Sequence, residues 1–174
     1  MVKRGVDEIF TSPLGRAKDT MSYTANALNK GYTVEEWARE VWPDLFFEME
    51  RDGRSGSAFD IAGEFYKGNS FTDDYANWHR DPLFHDGRGK ACYDMIQEES
   101  DKFFQRFGYV REGGLYRVEK LCRKKIAMFC HNGFGLTWIS QLLNIPAPLV
   151  WTNFYLSPTS VTTILFEQRS ENIA

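Results

Sequence analysis

Short apolar runs that end in polar turns alternate along the chain with stretches of helical period. Residues 7–11 predict a strand. Ser12 and Pro13 follow, and they predict an N-cap with proline at the first helical position. The helix is expected to run through Arg16 to about Leu28, where residues 29–31 stop it. The opening therefore predicts one strand–turn–helix unit.

The next stretch predicts a second helix and then a long region without a regular period. Thr33 and Glu36 have the spacing of a capping box, which predicts a helix towards Trp42 before Pro43. Residues 51–90 are rich in Gly, Asp, Ser and aromatic side chains. We expect loops and short helices there.

From residue 90 onwards the apolar pattern predicts five further elements. They are an amphipathic helix from Lys90 to Phe107 capped by Gly108, a hairpin over 109–118, a buried strand over Lys125–Cys130, a buried helix over Leu136–Leu143 and a last strand over Ser160–Glu167. Because strands, loops and helices alternate, the predicted class is α/β, a three-layer αβα fold with a mainly parallel sheet.

Composition narrows the function classes. The chain has 174 residues, is 43% hydrophobic and 26% charged, and carries a net charge of −3, which predicts one domain and argues against nucleic-acid binding. Without a signal peptide or an apolar run of membrane-span length, we expect a cytoplasmic protein that does not bind membranes. Cys92, Cys122 and Cys130 lack the spacing of a disulfide framework or a zinc site.

Two segments carry candidate chemistry, and each is a strand that runs into a turn and then a helix. After the first strand, Ser12 and Arg16 lie at a helix start, where free N–H groups and the helix dipole favour an anion. After the buried strand, His131 precedes Asn132 and Gly133, and glycine lets the backbone approach a ligand closely. The alternatives are that Ser12 only caps the helix and that His131 is a structural histidine.

These motifs resemble the histidine phosphatase (phosphoglycerate mutase-like) superfamily. Residues 9–20, IFTSPLGRAKDT, resemble the family's Y-S-S-P-L-x-R-A-x-x-T-A segment. Residues 128–133, MFCHNG, with the helix that follows up to Pro146, resemble its S-H-G-G segment. The resemblance covers roughly residues 5–50 and 108–170, and Asn132 stands where the family often has a small residue.

The resemblance implies a phosphate site that contains Arg16, Ser12 and His131. Arg16 would clamp the transferred phosphoryl group, His131 would contact the same phosphate, and Ser12 would cap the helix next to it. Glu48 aligns best with the family's acid, which protonates the leaving group, and Glu50 is its rival. Either glutamate is equally well explained as a solvent-facing residue at a strand end. The family needs neither metal nor cofactor, and the implied partner is a phosphorylated small molecule.

The family's nucleophile is a histidine in an Arg-His-Gly motif, which this sequence lacks. We expect the motif upstream of Met1, on a central strand whose absence leaves its neighbours unpaired unless another chain, as in a homo-oligomer, fills the gap. The chain alone is then inactive. The alternatives are a phospholigand-binding pseudophosphatase and an interaction domain. His79 and His85 are not expected to replace the nucleophile.

The region over 51–90 would be a cap insertion in the single domain 1–174, with aromatic side chains that form a small core of their own. Asp73, Asp74, Asp81 and Asp86 lie near two histidines in it, but their spacing fits no regular set of metal ligands. We expect a solvated acidic loop.

Overall fold

The computed structural model describes residues 3, 5–41, 46–48, 55–60, 63, 71–84, 86–167 and 172–173. For residues 46–48, 55–56 and 172–173 this description covers the backbone alone. The strands are β1 Glu8–Thr11, β2 Thr33–Val34, β3 Phe46–Glu48, β4 Ser55–Ser57, β5 Tyr109–Glu112, β6 Leu115–Val118, β7 Ile126–Phe129 and β8 Asn172–Ile173. The α-helices are α1 Gly15–Leu28, α2 Arg88–Gln105, α3 Asn132–Leu143 and α4 Ala147–Asn153.

The chain forms two compact units. The first comprises Met1–Arg39, Glu98–His131 and Ser157–Ala174, and the second comprises Glu40–Gln97 and Asn132–Leu156. Residues 51–90 belong to the second unit, and their role as a cap on a single domain stays a prediction. None of the helices in the described residues is long and apolar enough to cross a membrane.

The first unit is organised around a parallel sheet in the order β2-β1-β7. Strand β1 pairs with β7 from Glu8 opposite Ile126 to Thr11 opposite Phe129. One face of this sheet is covered by α1, because Ile9 and Ala127 form a buried cluster with Met21 of that helix.

The other face is covered by the C-terminal part of α2 and the residues that follow it. Successive side chains of a strand point to opposite faces, so Phe10 faces away from Ile9. Its ring lies 5.0 Å from that of Phe103 and 6.1 Å from that of Phe107. The guanidinium of Arg106 stacks over the same aromatic group, 5.2 Å from the Phe10 ring centre. Helix, sheet and helix thus form three layers, and the predicted αβα class is confirmed.

In the described parallel sheet β1 is the middle strand. It pairs with β7 along all four of its residues and with β2 at Phe10 and Thr11. Strands β2 and β7 are therefore the edge strands of the described sheet. The further central strand that the resemblance implies stays a prediction.

The helix predicted from the capping-box spacing of Thr33 and Glu36 is wrong. Thr33 and Val34 form β2, and the Glu35 amide donates to the Thr11 carbonyl at 2.9 Å. Glu36–Ala38 then make a single 3₁₀ turn. The hydrogen bonds that residues 33–35 make with β1 therefore outweigh the local capping signal.

The strand predicted over Ser160–Glu167 is also wrong. These residues lie outside every ladder of the described chain, and the side chains of Val161 and Leu165 are 54% and 76% exposed. Phe166 is the residue that anchors the segment, with its ring 4.7 Å from that of Phe104. The third strand of the antiparallel sheet β5-β6-β8 comes instead from Asn172–Ile173. A β-branched composition favours extended backbone, but it does not supply a partner strand.

The second unit is held by aromatic side chains from separate parts of the chain. Trp78 is 1% exposed and stacks edge-on against Phe84, Tyr93 and Trp151 at ring distances of 4.9, 5.3 and 5.1 Å. The irregular region therefore contributes to a core with α2 and α4, rather than only to a core of its own. The predicted helix over Leu136–Leu143 is confirmed, although α3 begins at Asn132.

Gly108 ends the turn after α2, and we expect its replacement to cost more stability than replacement of Gly113. Both have left-handed φ angles, +85° and +62°, which cost an alanine about 1 kcal/mol. A Cβ on Gly108 would also lie 2.5 Å from the Lys120 carbonyl oxygen, whereas at Gly113 it meets nothing within 4 Å. We expect Gly108→Ala to lower the free energy of unfolding by about 1–3 kcal/mol more than Gly113→Ala. Urea denaturation of both variants measures the difference, and equal losses would contradict the tight contact.

Candidate functional site

The parallel register of β1 and β7 brings the two sequence motifs together. Both strands end at the same edge of the sheet, with Thr11 opposite Phe129. The pairing continues one residue further, since the Ser12 amide donates to the Phe129 carbonyl at 2.8 Å. His131 follows β7 after one intervening residue. Carboxyl ends of parallel strands are where α/β sheets bind ligands.

Ser12 is placed differently from the helix cap that the sequence predicts. Helix α1 begins at Gly15, the capping position is Leu14, and no side chain bonds there. Ser12 Oγ instead accepts from the Leu14 amide at 3.2 Å within the turn, and the residue is completely buried. Its hydroxyl therefore belongs to the strand end and not to the helix.

Arg16 and His131 lie 115 residues apart in sequence and are in direct contact. Arg16 Nε donates to His131 Nδ1 at 3.1 Å. On the other side of the imidazole, Nε2 lies 2.8 Å from Ser12 Oγ. The arginine is exposed, whereas the histidine is 9% exposed. All three predicted phosphate-site residues thus form one connected group in the first unit, while their roles stay predictions.

The contact with arginine decides which ring nitrogen of His131 carries the proton. A guanidinium has only donors, so Nδ1 must offer a lone pair to Arg16 Nε. The imidazole is then neutral with its proton on Nε2, which donates to Ser12 Oγ. Ser12 Oγ accepts from both His131 and the Leu14 amide, and its own hydroxyl proton points elsewhere.

This tautomer argues against Ser12 as a nucleophile activated by His131. A serine–histidine dyad needs a bare Nε2 to take the serine proton and an acceptor on Nδ1–H. Here Nδ1 faces a donor, Arg16. The arrangement presents donors and positive charge instead, which suits an oxyanion. The first turn of α1 adds to this, because the amides of Gly15 and Arg16 have no carbonyl partner within the helix.

The predicted acid cannot be located. Glu48 lies in β3, where its backbone pairs with Ser55, but its side chain lies outside the described residues, and Glu50 lies outside them altogether. The choice between the two glutamates stays a prediction.

Glu40 is a carboxylate that the sequence interpretation missed. Its Oε1 accepts from the Phe134 amide at 3.1 Å and from its own neighbour Val41 at 3.0 Å. The same oxygen lies 2.7 Å from where a Cβ on Gly133 would be, so glycine is needed for this approach. Glu40 therefore holds the first turn of α3.

A signal for Glu40 was present in the sequence. It follows β2, a strand of the parallel sheet, and stands between the buried residues Ala38 and Val41. Because the sequence predicted a helix here, the position of Glu40 after a strand was not recognised. Asn132, which departs from the resembled motif, also holds local backbone, since its Oδ1 accepts from the Leu156 amide at 2.9 Å.

The other histidines do not form a second site in the described chain. His79 is half-buried, and its ring stacks edge-on against Trp78. Partial burial lowers the pKa of His79, and the nearby Lys90 lowers it further. His85 lies outside the described residues.

The acidic loop residues serve local backbone geometry. Asp74 accepts from the amides of Ala76 and Asn77, and the Asn77 side chain lowers the pKa of the Asp74 carboxyl. Asp81 accepts from the Leu83 amide and Asp86 from the Arg88 amide. Across the described residues, no group of three His, Cys, Asp or Glu side chains could hold a metal ion.

The tautomer of His131 can be checked directly. We expect ¹⁵N NMR of His131 in its neutral form to show the pyrrole-type signal at Nε2 and the pyridine-type signal at Nδ1, because Arg16 donates to Nδ1. Arg16→Ala removes that donor and should return the ring towards a mixture of tautomers. A proton on Nδ1 in the unmodified protein would contradict the arrangement.

Glu40 should stabilise the second unit through the hydrogen bond that it accepts from the Phe134 amide. Glu40→Gln keeps an oxygen acceptor, whereas Glu40→Ala leaves the Phe134 amide without its partner. We expect Glu40→Ala to reduce the free energy of unfolding by about 1–3 kcal/mol and Glu40→Gln to reduce it by less. Chemical denaturation of the pair measures this, and equal losses would show that the accepted hydrogen bond is unimportant.

Comparison with known proteins gives no relative for this arrangement. No protein-family model, no curated protein and no solved structure matches the chain. The resemblance to histidine phosphatases consequently rests on the two sequence motifs.

Proposed function

We propose that the chain binds the phosphate group of phosphorylated small molecules at Ser12, Arg16 and His131, as part of a site of the histidine phosphatase type. In the active form of such a site, a phosphate ester is hydrolysed or its phosphoryl group transferred through a phosphohistidine. The three residues would supply the oxyanion clamp, because their donors can bind equatorial oxygens and stabilise charge that builds on them.

The observation that carries this proposal is the Arg16–His131 contact at 3.1 Å. An arginine and a neutral histidine gain little from meeting each other, and the arginine is exposed and could remain solvated. An arginine next to a histidine, both at the carboxyl end of a parallel sheet and beside the start of a 14-residue helix, suits a common anion once the contact between the two side chains opens.

Turnover requires a nucleophile in addition to the clamp. The resemblance implies that the phosphohistidine forms on a histidine of an Arg-His-Gly segment, which the 174 residues do not contain.

The second candidate function is binding of phosphorylated ligands without turnover. It is favoured by the same observation, because the clamp alone can hold a phosphate without cleaving its ester. The two functions share the clamp and differ in hydrolysis, so binding and turnover are measured separately.

Binding of inorganic phosphate tests the clamp. We expect Arg16→Ala to weaken phosphate binding by about 10- to 100-fold, the value of a charge-assisted hydrogen bond, with a smaller loss for Arg16→Lys. Arg123→Ala is the matched control, since it removes an equal charge from an exposed position of the same unit. Calorimetric titration gives the dissociation constants. Equal effects of Arg16→Ala and Arg123→Ala would contradict the clamp.

Hydrolysis of p-nitrophenyl phosphate separates the two candidates. We expect no turnover above background by the 174 residues, because positioning without a nucleophile forms no covalent intermediate. A version extended upstream through an Arg-His-Gly segment should hydrolyse the ester if the first function is correct. Metal-independent turnover by the short chain that is lost in His79→Ala or His85→Ala would show that one of these is the nucleophile.

A further inference from the structure

We propose that the site takes up one proton together with each tetrahedral dianion, and that Nδ1 of His131 is the atom that receives it. The inference rests on the proposed anion clamp and adds the charge state of the ligand that the clamp selects. Its ligand is a dianion bound by the imidazolium form of His131, so that binding strengthens as pH falls.

The first step is that neither ring nitrogen is available in the observed arrangement. Nδ1 accepts from Arg16 Nε at 3.1 Å, and Nε2–H donates to Ser12 Oγ at 2.8 Å. For the imidazole to donate to a bound oxyanion, one of these two contacts has to open. In the observed arrangement, His131 is bonded to Arg16 and Ser12 on its two sides.

The second step is that the Arg16 contact opens more easily than the Ser12 contact. Ser12 is completely buried, and its backbone is fixed by the bond from its amide to Phe129. Arg16 is exposed, and within the described residues it makes no ion pair. Rotation of its long side chain costs little, and its remaining guanidinium N–H groups can bind an anion in the new position.

The third step follows from the chemistry of the exposed nitrogen. When Arg16 turns away, Nδ1 carries a lone pair that faces the bound dianion, and the two repel each other. Protonation of Nδ1 converts this repulsion into an N–H donor on a cation, while Nε2–H keeps its bond to Ser12. The proton comes from the solvent, and no covalent bond is formed or broken other than N–H.

The charged groups around the imidazole agree with this direction. Arg16, from α1, is the cation that faces Nδ1 and opposes its protonation in the free site. Once Arg16 binds the anion, the negative ligand outweighs that repulsion.

Sulfate is the appropriate probe, because it stays a dianion across the range in which histidine titrates. Titration calorimetry in two buffers of different ionisation enthalpy counts the protons taken up per sulfate. Above the pKa of free His131 we expect uptake to approach one proton, with affinity falling about tenfold per pH unit. His131→Gln should bind sulfate more weakly and without proton uptake.

A second measurement on the unmodified protein avoids dependence on the variants. ¹⁵N NMR should show a neutral His131 ring in the free protein and an imidazolium in the sulfate complex at the same pH. If sulfate binds with no proton uptake and His131 stays neutral, the proton inference is overturned and the anion clamp stands. If uptake persists in His131→Gln, another group takes the proton and the inference is again overturned. If sulfate and phosphate both fail to bind, the proposed function itself is wrong.

Discussion

The candidate site depends on one structural constraint, the parallel pairing of β1 with β7. Four consecutive residue pairs fix its register, and the bond from the Ser12 amide to Phe129 extends it to the first residue of the site. Shifting such a pairing by one residue would reverse the faces of Ile9 and Phe10. These side chains pack on opposite layers, against α1 and against the aromatic rings after α2. Burial on both faces therefore locks the register that brings His131 to Arg16.

Sequence patterns predicted the helices and strands that have an apolar period and a stop signal within their own residues. The strand before Ser12, the helix to Leu28, the helix ending before Gly108 and the apolar strand before His131 are all present within a few residues of their expected limits. Each has its own apolar period and its own stop signal. The end of α1 shows this well, because Asn29 adopts the left-handed conformation that closes the helix. The motif-bearing strands were predictable for the same reason.

What the sequence did not predict depends on partners distant in the chain. Residues 33–34 have the local signature of a helix start and become a strand because β1 lies beside them. Residues 160–167 have strand composition and join no ladder in the described chain. Glu40 was missed through the first of these errors, since its position after a strand emerges only when β2 is recognised. Nothing in the spacing of Ser12, Arg16 and His131 reveals that each ring nitrogen of the histidine already has a partner.

In the observed structure Arg16 donates to His131, so an anion that binds both side chains has to separate them. This gives the proposed anion clamp a direct structural test. Tungstate has the shape and charge of phosphate, and its tungsten atom is located unambiguously by anomalous X-ray scattering. In a crystal of the chain with saturating tungstate, the account predicts a tungsten peak in contact with Arg16 and with Nδ1 of His131, and the Arg16–His131 bond broken. Tungstate bound elsewhere, with that bond intact, would contradict it.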